Sequence, residues 1–189
     1  MIIGITGKAG CGKSTIAKAL KERGLEVIYL DKLGHEALEE EREKLKKIFG
    51  KEIISKKRVN RSALAKIVFS DPGKLTELNG IIHPLIKKKA IDILSKSRRH
   101  VVIDGALLHQ IGLDSYCDLV IFVDCPEEIA LKRLVDRGVD KKRAISILKA
   151  QRSLTNCIKR SDYLITNDKS PTELIKRVLE ILSANSVVI

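Results

Sequence analysis

Short runs rich in valine and isoleucine recur along the chain and alternate with longer stretches that carry helical periodicity. Apart from the first, these runs do not alternate cleanly between apolar and polar residues. Apolar strands without alternation are typical of a parallel sheet covered by helices on both faces. The pattern therefore predicts an α/β protein with a doubly wound parallel sheet of five strands. The predicted strands are 1–6, 26–30, 100–104, 118–124 and 162–167.

Capping and stop signals set the bounds of three predicted helices. Ser14–Arg23 ends at Gly24, a residue suited to a left-handed cap. Pro126–Arg137 begins with a proline and two acids and stops before Gly138. The last helix begins at Ser170–Glu173, whose sequence SPTE forms a capping box with proline in the first turn.

Two stretches do not follow the simple alternation of strand and helix. Residues 32–97 are nearly all helical in pattern, with turn signals at Gly50, Asp71–Gly73 and His83–Pro84. A plain crossover needs far fewer residues, so we expect a helical insertion packed beside the sheet. Residues 133–160 form a second, very basic helical segment between the fourth and fifth strands.

Length and charge narrow the class of protein. The 189 residues allow one core with room for insertions, and 44% of them are hydrophobic. Lysine and arginine number 36 against 24 acids, which gives a net charge of +12. Such a surface favours polyanions, namely nucleotides, phosphorylated cofactors, nucleic acid or anionic lipid.

The same sequence argues against membrane insertion, secretion and a disulfide framework. No apolar run approaches the roughly 18 residues that span a bilayer, and the first residues lack a basic leader with a cleavage site. The cysteines form no C-x-x-C pair, which predicts reduced thiols in a cytoplasmic protein. The four cysteines are Cys11, Cys117, Cys125 and Cys157.

Gly7–Ser14 reads GKAGCGKS and matches the phosphate-loop pattern G-x-x-x-x-G-K-[ST] between the first strand and the first helix. Its glycines let the backbone curl and expose N–H donors, to which the helix N-terminus adds its dipole. Lys13 is suited to the β- and γ-phosphates, and the Ser14 hydroxyl is suited to Mg²⁺. We expect ATP and Mg²⁺ to bind here. The predicted nucleotide-binding residues are Gly7, Gly10, Cys11, Gly12, Lys13, Ser14 and Thr15.

Asp31 directly follows the second predicted strand. Ligands of open α/β sheets bind at the carboxyl ends of the strands, so this carboxylate is expected to face the phosphate loop. There it could accept the proton of an attacking hydroxyl or orient it. The alternative is a structural role as N-cap of a helix that begins at Lys32, and the residues alone favour that role.

From Gly4 to Asn167 the chain resembles the dephospho-CoA kinases, P-loop enzymes that phosphorylate the ribose 3′-hydroxyl of dephospho-CoA. The phosphate loop is shared by many kinases, whereas R-x-x-L-A-x-x-V-F followed by L-N-x-I-I-H-P is more particular to this family. The matching segments are GITGKAGCGKST at 4–15, DKLGH at 31–35, VNRSALAKIVF at 59–69, LNGIIHPLI at 78–86, VVIDGALL at 101–108, CDLVIFVDCPEEIALKRLVDRG at 117–138 and QRSLTNCIKRSDYLITN at 151–167.

The resemblance implies roles for the acceptor side of the site. Asp31 is similar to the family's catalytic carboxylate, which reverses the preference for a capping role. Residues 32–97 are similar to the region that receives dephospho-CoA, with Arg61 and His83 near that pocket. The structural alternatives are a helix-surface ion pair for Arg61 and a turn residue before Pro84 for His83.

It also implies a lid at 133–160, in which Arg137 and Arg133 would neutralise charge on the transferred phosphoryl group. The remaining segments 1–31, 98–132 and 161–189 would form the nucleotide-binding core. There Asn167 is similar to an adenine-contacting residue, with a strand-end turn as the alternative. Asp104 would assist Mg²⁺ or its waters, or would be a structural strand-end acid.

Four positions depart from the family's usual pattern. An acid is replaced by Tyr29, a proline by Ala106, a glutamate by Gln110, and a basic lid residue by Cys157. These replacements affect the expected fine geometry of substrate and Mg²⁺ binding, but they leave the type of reaction unchanged.

The sequence thus predicts ATP-dependent phosphorylation of dephospho-CoA to CoA by a cytoplasmic protein that is monomeric or weakly self-associating. Another nucleoside or nucleotide kinase is the neighbouring alternative, and a nucleotide-gated switch without catalysis is a further one. A nucleic-acid-binding P-loop protein is suggested only by the charge. Three Phe, three Tyr and no Trp offer few stacking platforms, so we expect no nucleic acid partner and no membrane partner.

Overall fold

The computed structural model describes residues 1–187, which divide into two compact units. The first unit is Met1–Tyr29 together with the chain from Lys96 onward, and the second is Leu30–Ser95. In chain order the elements are β1 (Ile2–Gly7), α1 (Lys13–Glu22), β2 (Glu26–Tyr29), α2 (Leu30–Glu40), α3 (Arg42–Phe49), β3 (Ile54–Ser55), β4 (Arg58–Val59), α4 (Arg61–Phe69), α5 (Pro72–Leu94), β5 (Val101–Asp104), β6 (Leu119–Asp124), α6 (Glu127–Asp136), α7 (Lys141–Ala150), β7 (Tyr163–Thr166) and α8 (Pro171–Ala184), with 3₁₀ turns at Lys51–Ile53, Asp114–Tyr116 and Arg152–Arg160.

The first unit contains a five-stranded parallel sheet in the order β2-β5-β1-β6-β7. Every predicted strand is present, and each end lies within one residue of its predicted position. The α/β fold class with a parallel sheet flanked by helices is therefore confirmed. Because β1 is the central strand, the loop that follows it emerges at the middle of the sheet's carboxyl edge.

One face of this sheet carries the main hydrophobic core. β1 and β6 are buried almost throughout, and α1, α6, α7 and α8 contribute apolar residues to the same cluster. Burial of apolar side chains provides roughly 25 cal/mol per Å² of area removed from water. Members of the cluster include Ile3, Ile5, Ile16, Leu20, Ala130, Leu134, Leu148, Leu174 and Leu182. This packing holds the first turn of α1 and the ends of the central strands in place.

The second unit is helical except for one short hairpin. β3 and β4 pair antiparallel, a feature that the sequence pattern did not predict. The turn uses Lys56 and Lys57 at φ of +48° and +62°. Glycine and asparagine are the residues that normally indicate such a turn, so the two lysines do not predict one.

The predicted turn at His83–Pro84 is wrong, because both residues lie inside α5. Proline removes one helical hydrogen bond and crowds the carbonyl one turn earlier, which belongs to Gly80. Ile82, Ile86 and Ala90 are buried along the same face of α5, and their packing outweighs that local cost. The turn alternative for His83 is therefore wrong as well.

Among residues 1–187, no helix is both long enough and apolar enough to cross a bilayer.

The capping box at α8 gives a first prediction. The Ser170 side chain accepts a hydrogen bond from the Glu173 N–H at 3.2 Å. We expect Ser170→Ala to lower the free energy of unfolding by about 1 kcal/mol, because that donor loses its acceptor. Ser183→Ala, an exposed position in the same helix, serves as control and should change it by less than about 0.5 kcal/mol. Urea unfolding measures both free energies, and an equal loss of stability in the two variants would contradict the capping role of Ser170.

Candidate active site

The loop between β1 and α1 has a backbone that only glycine accommodates at two of its turns. Gly7 has a φ of +131°, and a Cβ there would lie 2.0 Å from the Val123 carbonyl oxygen. Gly12 has a φ of +107°, and its Cβ would lie 2.5 Å from Asn167 Nδ2. Backbone or buried amide atoms stand in both places and cannot easily move. The loop therefore curls tightly against the ends of β6 and β7.

The amino end of α1 is open to an anion. Gly12 occupies the N-cap position without a side-chain acceptor, and no acid lies in the first turn. Helix N-termini carry unsatisfied N–H groups and a partial positive charge, which together favour phosphate. The exposed Ser14 hydroxyl lies in this first turn.

Two donors of the loop are bound to acceptors within the protein. Lys13 Nζ donates to the Lys8 carbonyl oxygen at 2.8 Å. The Ala9 N–H donates to Gln151 Oε1 at 2.6 Å. Both acceptors are oxygens, as the phosphate oxygens of a nucleotide are. Sequence reasoning missed Gln151, because 142 residues separate it from Ala9.

An ion pair joins the loop to the end of β6. Lys8 Nζ lies 3.0 and 3.2 Å from the two carboxylate oxygens of Asp124. The same carboxylate accepts the Cys125 N–H at 2.9 Å. Lys8 is thereby held beside the loop, and Asp124 fixes the chain where β6 ends.

Asn167 joins the loop to the end of β7. Its side chain is buried at 5% exposure, and Nδ2 donates to the Cys11 carbonyl oxygen at 2.8 Å. Its N–H donates to the Asp124 carbonyl oxygen at 2.7 Å. The structure thus shows Asn167 positioning the loop. The contact with adenine remains a prediction.

The two arginines predicted for the lid have different surroundings. Arg133 is half-buried on α6 and donates to the carbonyl oxygens of Asn167 and Lys169 at 3.3 and 3.4 Å. Arg137 is exposed at the C-terminal end of α6. Contact of either with a phosphate remains a prediction.

Asp104 ends β5 and is 8% exposed. In the sheet it is level with Tyr29 on β2 and Ile5 on β1. Burial, together with the charge of Asp104, raises the pKa of the Tyr29 phenol. Tyr29 thus presents a neutral hydroxyl near this carboxylate, at the position where the resemblance implies an acid.

The other three departures line one cavity of about 390 Å³ in the first unit. Ala106 and Gln110 come from the loop after β5, and Cys157 from the 3₁₀ segment that follows α7. The replacements are therefore clustered in space, which their spacing along the chain did not indicate.

In the second unit, α2 begins at Leu30, so Asp31 lies inside the first helical turn. The N-cap alternative for this residue is therefore wrong. An acid in the first turn still complements the helix dipole, and the Asp31 carboxylate is exposed.

His35 lies one turn after Asp31 and is a residue that sequence reasoning did not assign to the site. Arg61 Nη1 contacts His35 Nε2, so Arg61 has a histidine partner in place of the acid that an ion pair requires. Burial and the charge of Arg61 lower the pKa of His35, and Asp31 opposes this effect. A neutral imidazole accepts the guanidinium N–H. The unit thus brings a carboxylate, an imidazole and a guanidinium together.

His83 is half-buried on α5, and burial lowers its pKa. A neutral imidazole can accept or donate one hydrogen bond at each nitrogen. Its contact with substrate remains a prediction.

The Ser14 hydroxyl is an oxygen donor of the kind that a magnesium ion takes as a ligand. Among residues 1–187, no group of three or more His, Cys, Asp or Glu side chains is arranged to hold a metal. Mg²⁺ in phosphate-transfer sites keeps several waters and takes few protein ligands. A single hydroxyl at Ser14 fits that requirement.

Known proteins resemble this chain in both sequence and fold. The sequence model of the family described as dephospho-CoA kinase matches residues 1–173. A dephospho-CoA kinase of Fusobacterium nucleatum is 36% identical over 94% of this chain and 95% of its own length. The crystal structure of TT1252 from Thermus thermophilus aligns with a TM-score of 0.85 at 33% identity, covering 98% of this chain and 97% of that one. Dephospho-CoA kinase from Campylobacter jejuni aligns with a TM-score of 0.72 at 26% identity, covering 96% and 95%.

The parallel sheet and its glycine-shaped phosphate loop define a P-loop kinase. Within that class, the match over residues 1–173 and the relatives above show the family. The chain belongs to the dephospho-CoA kinases, which are phosphotransferases.

The shape of the loop gives a second prediction. Gly7→Ala should weaken nucleotide binding by at least about tenfold, because its Cβ would meet a backbone oxygen and force the loop to shift. Gly24→Ala is the matched control. Its φ is also positive at +91°, but nothing lies within 4 Å of the added Cβ. Gly24→Ala should lower the free energy of unfolding and leave the affinity for nucleotide unchanged. Titration with ATP compares the two, and equal affinity in both variants would contradict the role of the loop.

Proposed function

We propose that this protein transfers the γ-phosphoryl group of ATP to the ribose 3′-hydroxyl of dephospho-CoA, giving CoA and ADP. The observation that supports this most strongly is the glycine-shaped loop with Lys13 and the open end of α1, in a chain of the dephospho-CoA kinase family. Family membership supports dephospho-CoA as the phosphoryl acceptor, and the phosphate loop supports ATP as the phosphoryl donor.

On the donor side, phosphate oxygens would replace the two internal acceptors. Lys13 Nζ would leave the Lys8 carbonyl and the Ala9 N–H would leave Gln151, each gaining a charged acceptor. Hydrogen bonds to ionised oxygens are stronger than those to neutral ones. Ser14 would hold Mg²⁺, which supplies neutralisation of charge on the β- and γ-phosphates when bound.

On the acceptor side, Asp31 would orient the 3′-hydroxyl and accept its proton. The hydroxyl oxygen forms a bond to the γ-phosphorus while the bond from that phosphorus to the β,γ-bridging oxygen breaks, and ADP leaves. Most of the rate gain in such reactions comes from positioning and electrostatics. Arg61 and His83 would hold the anionic substrate. A net charge of +12 suits two polyanionic reactants.

The segment 133–160 would close over the phosphates as a lid. Gln151, which now accepts from the loop, belongs to this segment. Arg137 and Arg133 would neutralise charge on the transferred group. Closure would also exclude water, which otherwise competes as acceptor.

A cytoplasmic location and a monomeric or weakly self-associating state are part of the same proposal. The free state of Cys11, Cys117, Cys125 and Cys157 is in keeping with a reducing compartment.

The most direct test of the acceptor is a comparison of substrates with magnesium-ATP. Dephospho-CoA should be phosphorylated far faster than nucleosides, nucleoside monophosphates or shikimate at equal concentration. Formation of CoA no faster than in an enzyme-free control would refute the proposal. Faster phosphorylation of another acceptor would favour a different kinase activity.

Asp31→Asn should lower kcat by about 100- to 10,000-fold, the range typical of a lost general base. ATP affinity should be nearly unchanged, since the substitution removes only proton acceptance and orientation of the hydroxyl. Asp92→Asn, an exposed acid on α5, is the matched control and should retain full activity. Steady-state kinetics with dephospho-CoA and ATP titration provide the two readouts. Unchanged turnover in Asp31→Asn would assign this residue to helix stabilisation alone.

Lys13→Ala should weaken ATP binding by about 10- to 100-fold, the equivalent of one charge-assisted hydrogen bond. It should also lower kcat, because the lysine would contact the phosphates while the γ-phosphoryl group is transferred. Lys18→Ala alters an exposed lysine of the same helix that pairs with Glu22 at 3.9 Å, and it should leave both quantities unchanged. Calorimetric titration and turnover measurements distinguish the variants; intact ATP affinity in Lys13→Ala would rule out its role.

A further inference from the structure

Two buried thiols meet beneath the phosphate loop. Cys11, within the loop, and Cys125, just after β6, are 0% and 6% exposed. Their sulfur atoms lie 2.6 Å apart although 114 residues separate them in sequence. The two sulfur atoms are thus direct neighbours, as the formation of a disulfide requires.

We propose that Cys11 and Cys125 form an oxidisable pair whose reversible disulfide restrains the phosphate loop and weakens nucleotide binding. The effect on nucleotide binding rests on the proposed function of the loop, whereas formation of the disulfide does not.

Cys125 is the sulfur that an oxidant reaches first. It lines a cavity of about 280 Å³ whose wall also includes Lys8 and Arg152. Cys11 does not line this cavity. Lys8 and Arg152 are paired with Asp124 and Glu127, so it is access through the cavity that makes Cys125 the first of the two sulfurs to meet an oxidant. The thiolate is the reactive form of cysteine.

The pKa values of the two thiols also differ in the direction that the oxidation requires, with that of Cys125 lowered and that of Cys11 raised. The hydrogen bond between the two thiols lowers the pKa of Cys125. Burial and the charge of Asp124 oppose this effect, and the charges of Arg133 and Lys8 add to it. The same hydrogen bond, together with burial, raises the pKa of Cys11. Both directions make Cys125 the favoured nucleophile of the pair.

Oxidation by a hydroperoxide proceeds in two balanced steps. The Cys125 thiolate attacks one peroxide oxygen, a sulfur–oxygen bond forms, the oxygen–oxygen bond breaks, and the leaving oxygen departs as water after protonation. The Cys11 sulfur then attacks the Cys125 sulfenic acid, which releases a second water and forms the disulfide. In total, two thiols and one hydrogen peroxide give one disulfide and two waters.

A disulfide bond at Cys11 would hold the loop in the conformation in which its donors are hydrogen-bonded within the protein. Cys11 lies between Ala9, whose N–H is bound by Gln151, and Lys13, whose Nζ is bound by Lys8. Its carbonyl is already held by Asn167. A covalent link to the end of β6 removes freedom that the loop needs to turn these donors toward a phosphate. By linkage, bound nucleotide should equally oppose the disulfide.

The test uses the full chain, hydrogen peroxide as oxidant and a non-hydrolysable ATP analogue as ligand. Titratable thiols should fall from four to two, and peptide mapping should find Cys11 joined to Cys125. Affinity for the analogue should fall by roughly 5- to 150-fold, the usual range of coupling between two events in one protein. Dithiothreitol should restore both the thiols and the affinity.

Variants separate this pair from the other cysteines. Cys125→Ser and Cys125→Ala should bind the analogue as the reduced protein does and should lose the response to peroxide. The double variant Cys117→Ser/Cys157→Ser should keep the full response. Cross-linking with unchanged affinity would overturn the proposal, as would thiols that remain reduced under peroxide. Failure of the reduced protein to bind the analogue would instead contradict the proposed function, because the cross-linked peptide tests the cysteine pair by itself.

Discussion

The phosphate loop depends on acceptors and charges that lie elsewhere in the first unit. Its turns require positive φ at Gly7 and Gly12, which directs the chain tightly around the ends of β6 and β7. Asn167 donates a hydrogen bond to the Cys11 carbonyl, and the ion pair between Lys8 and Asp124 holds the start of the loop beside the end of β6. These contacts are local in space and remote in sequence. The sheet order makes them possible, because β6 and β7 follow one another on the same side of β1.

The same arrangement explains how the loop can exist stably before a nucleotide arrives. Buried or partly buried donors without acceptors are costly, and here the Lys8 carbonyl and Gln151 supply acceptors to Lys13 and Ala9. Binding would then exchange one set of acceptor oxygens for another, so that the two donors stay paired throughout. Because Gln151 belongs to the segment 133–160, such an exchange would free that segment as nucleotide binds. This links phosphate binding to the proposed closure.

Local patterns in the sequence were sufficient for the strands, the capped helices and the loop motif. They failed where distant packing decides the structure. Pro84 remains inside α5 because the buried face of that helix outweighs the local cost. The hairpin at Lys56 and Lys57 lacks the usual turn residues. The contact of Gln151 with the loop and the meeting of Cys11 with Cys125 span more than 100 residues each, so no spacing rule signals them.

The central claim is that Lys13 and the Ala9 N–H bind phosphate in place of their internal acceptors. A crystal structure with a non-hydrolysable ATP analogue tests it directly through two distances. We expect Lys13 Nζ to have left the Lys8 carbonyl, the Ala9 N–H to have left Gln151, and both to lie within hydrogen-bonding distance of phosphate oxygens. A triphosphate bound elsewhere, with the 2.8 Å and 2.6 Å internal bonds intact, would contradict the account.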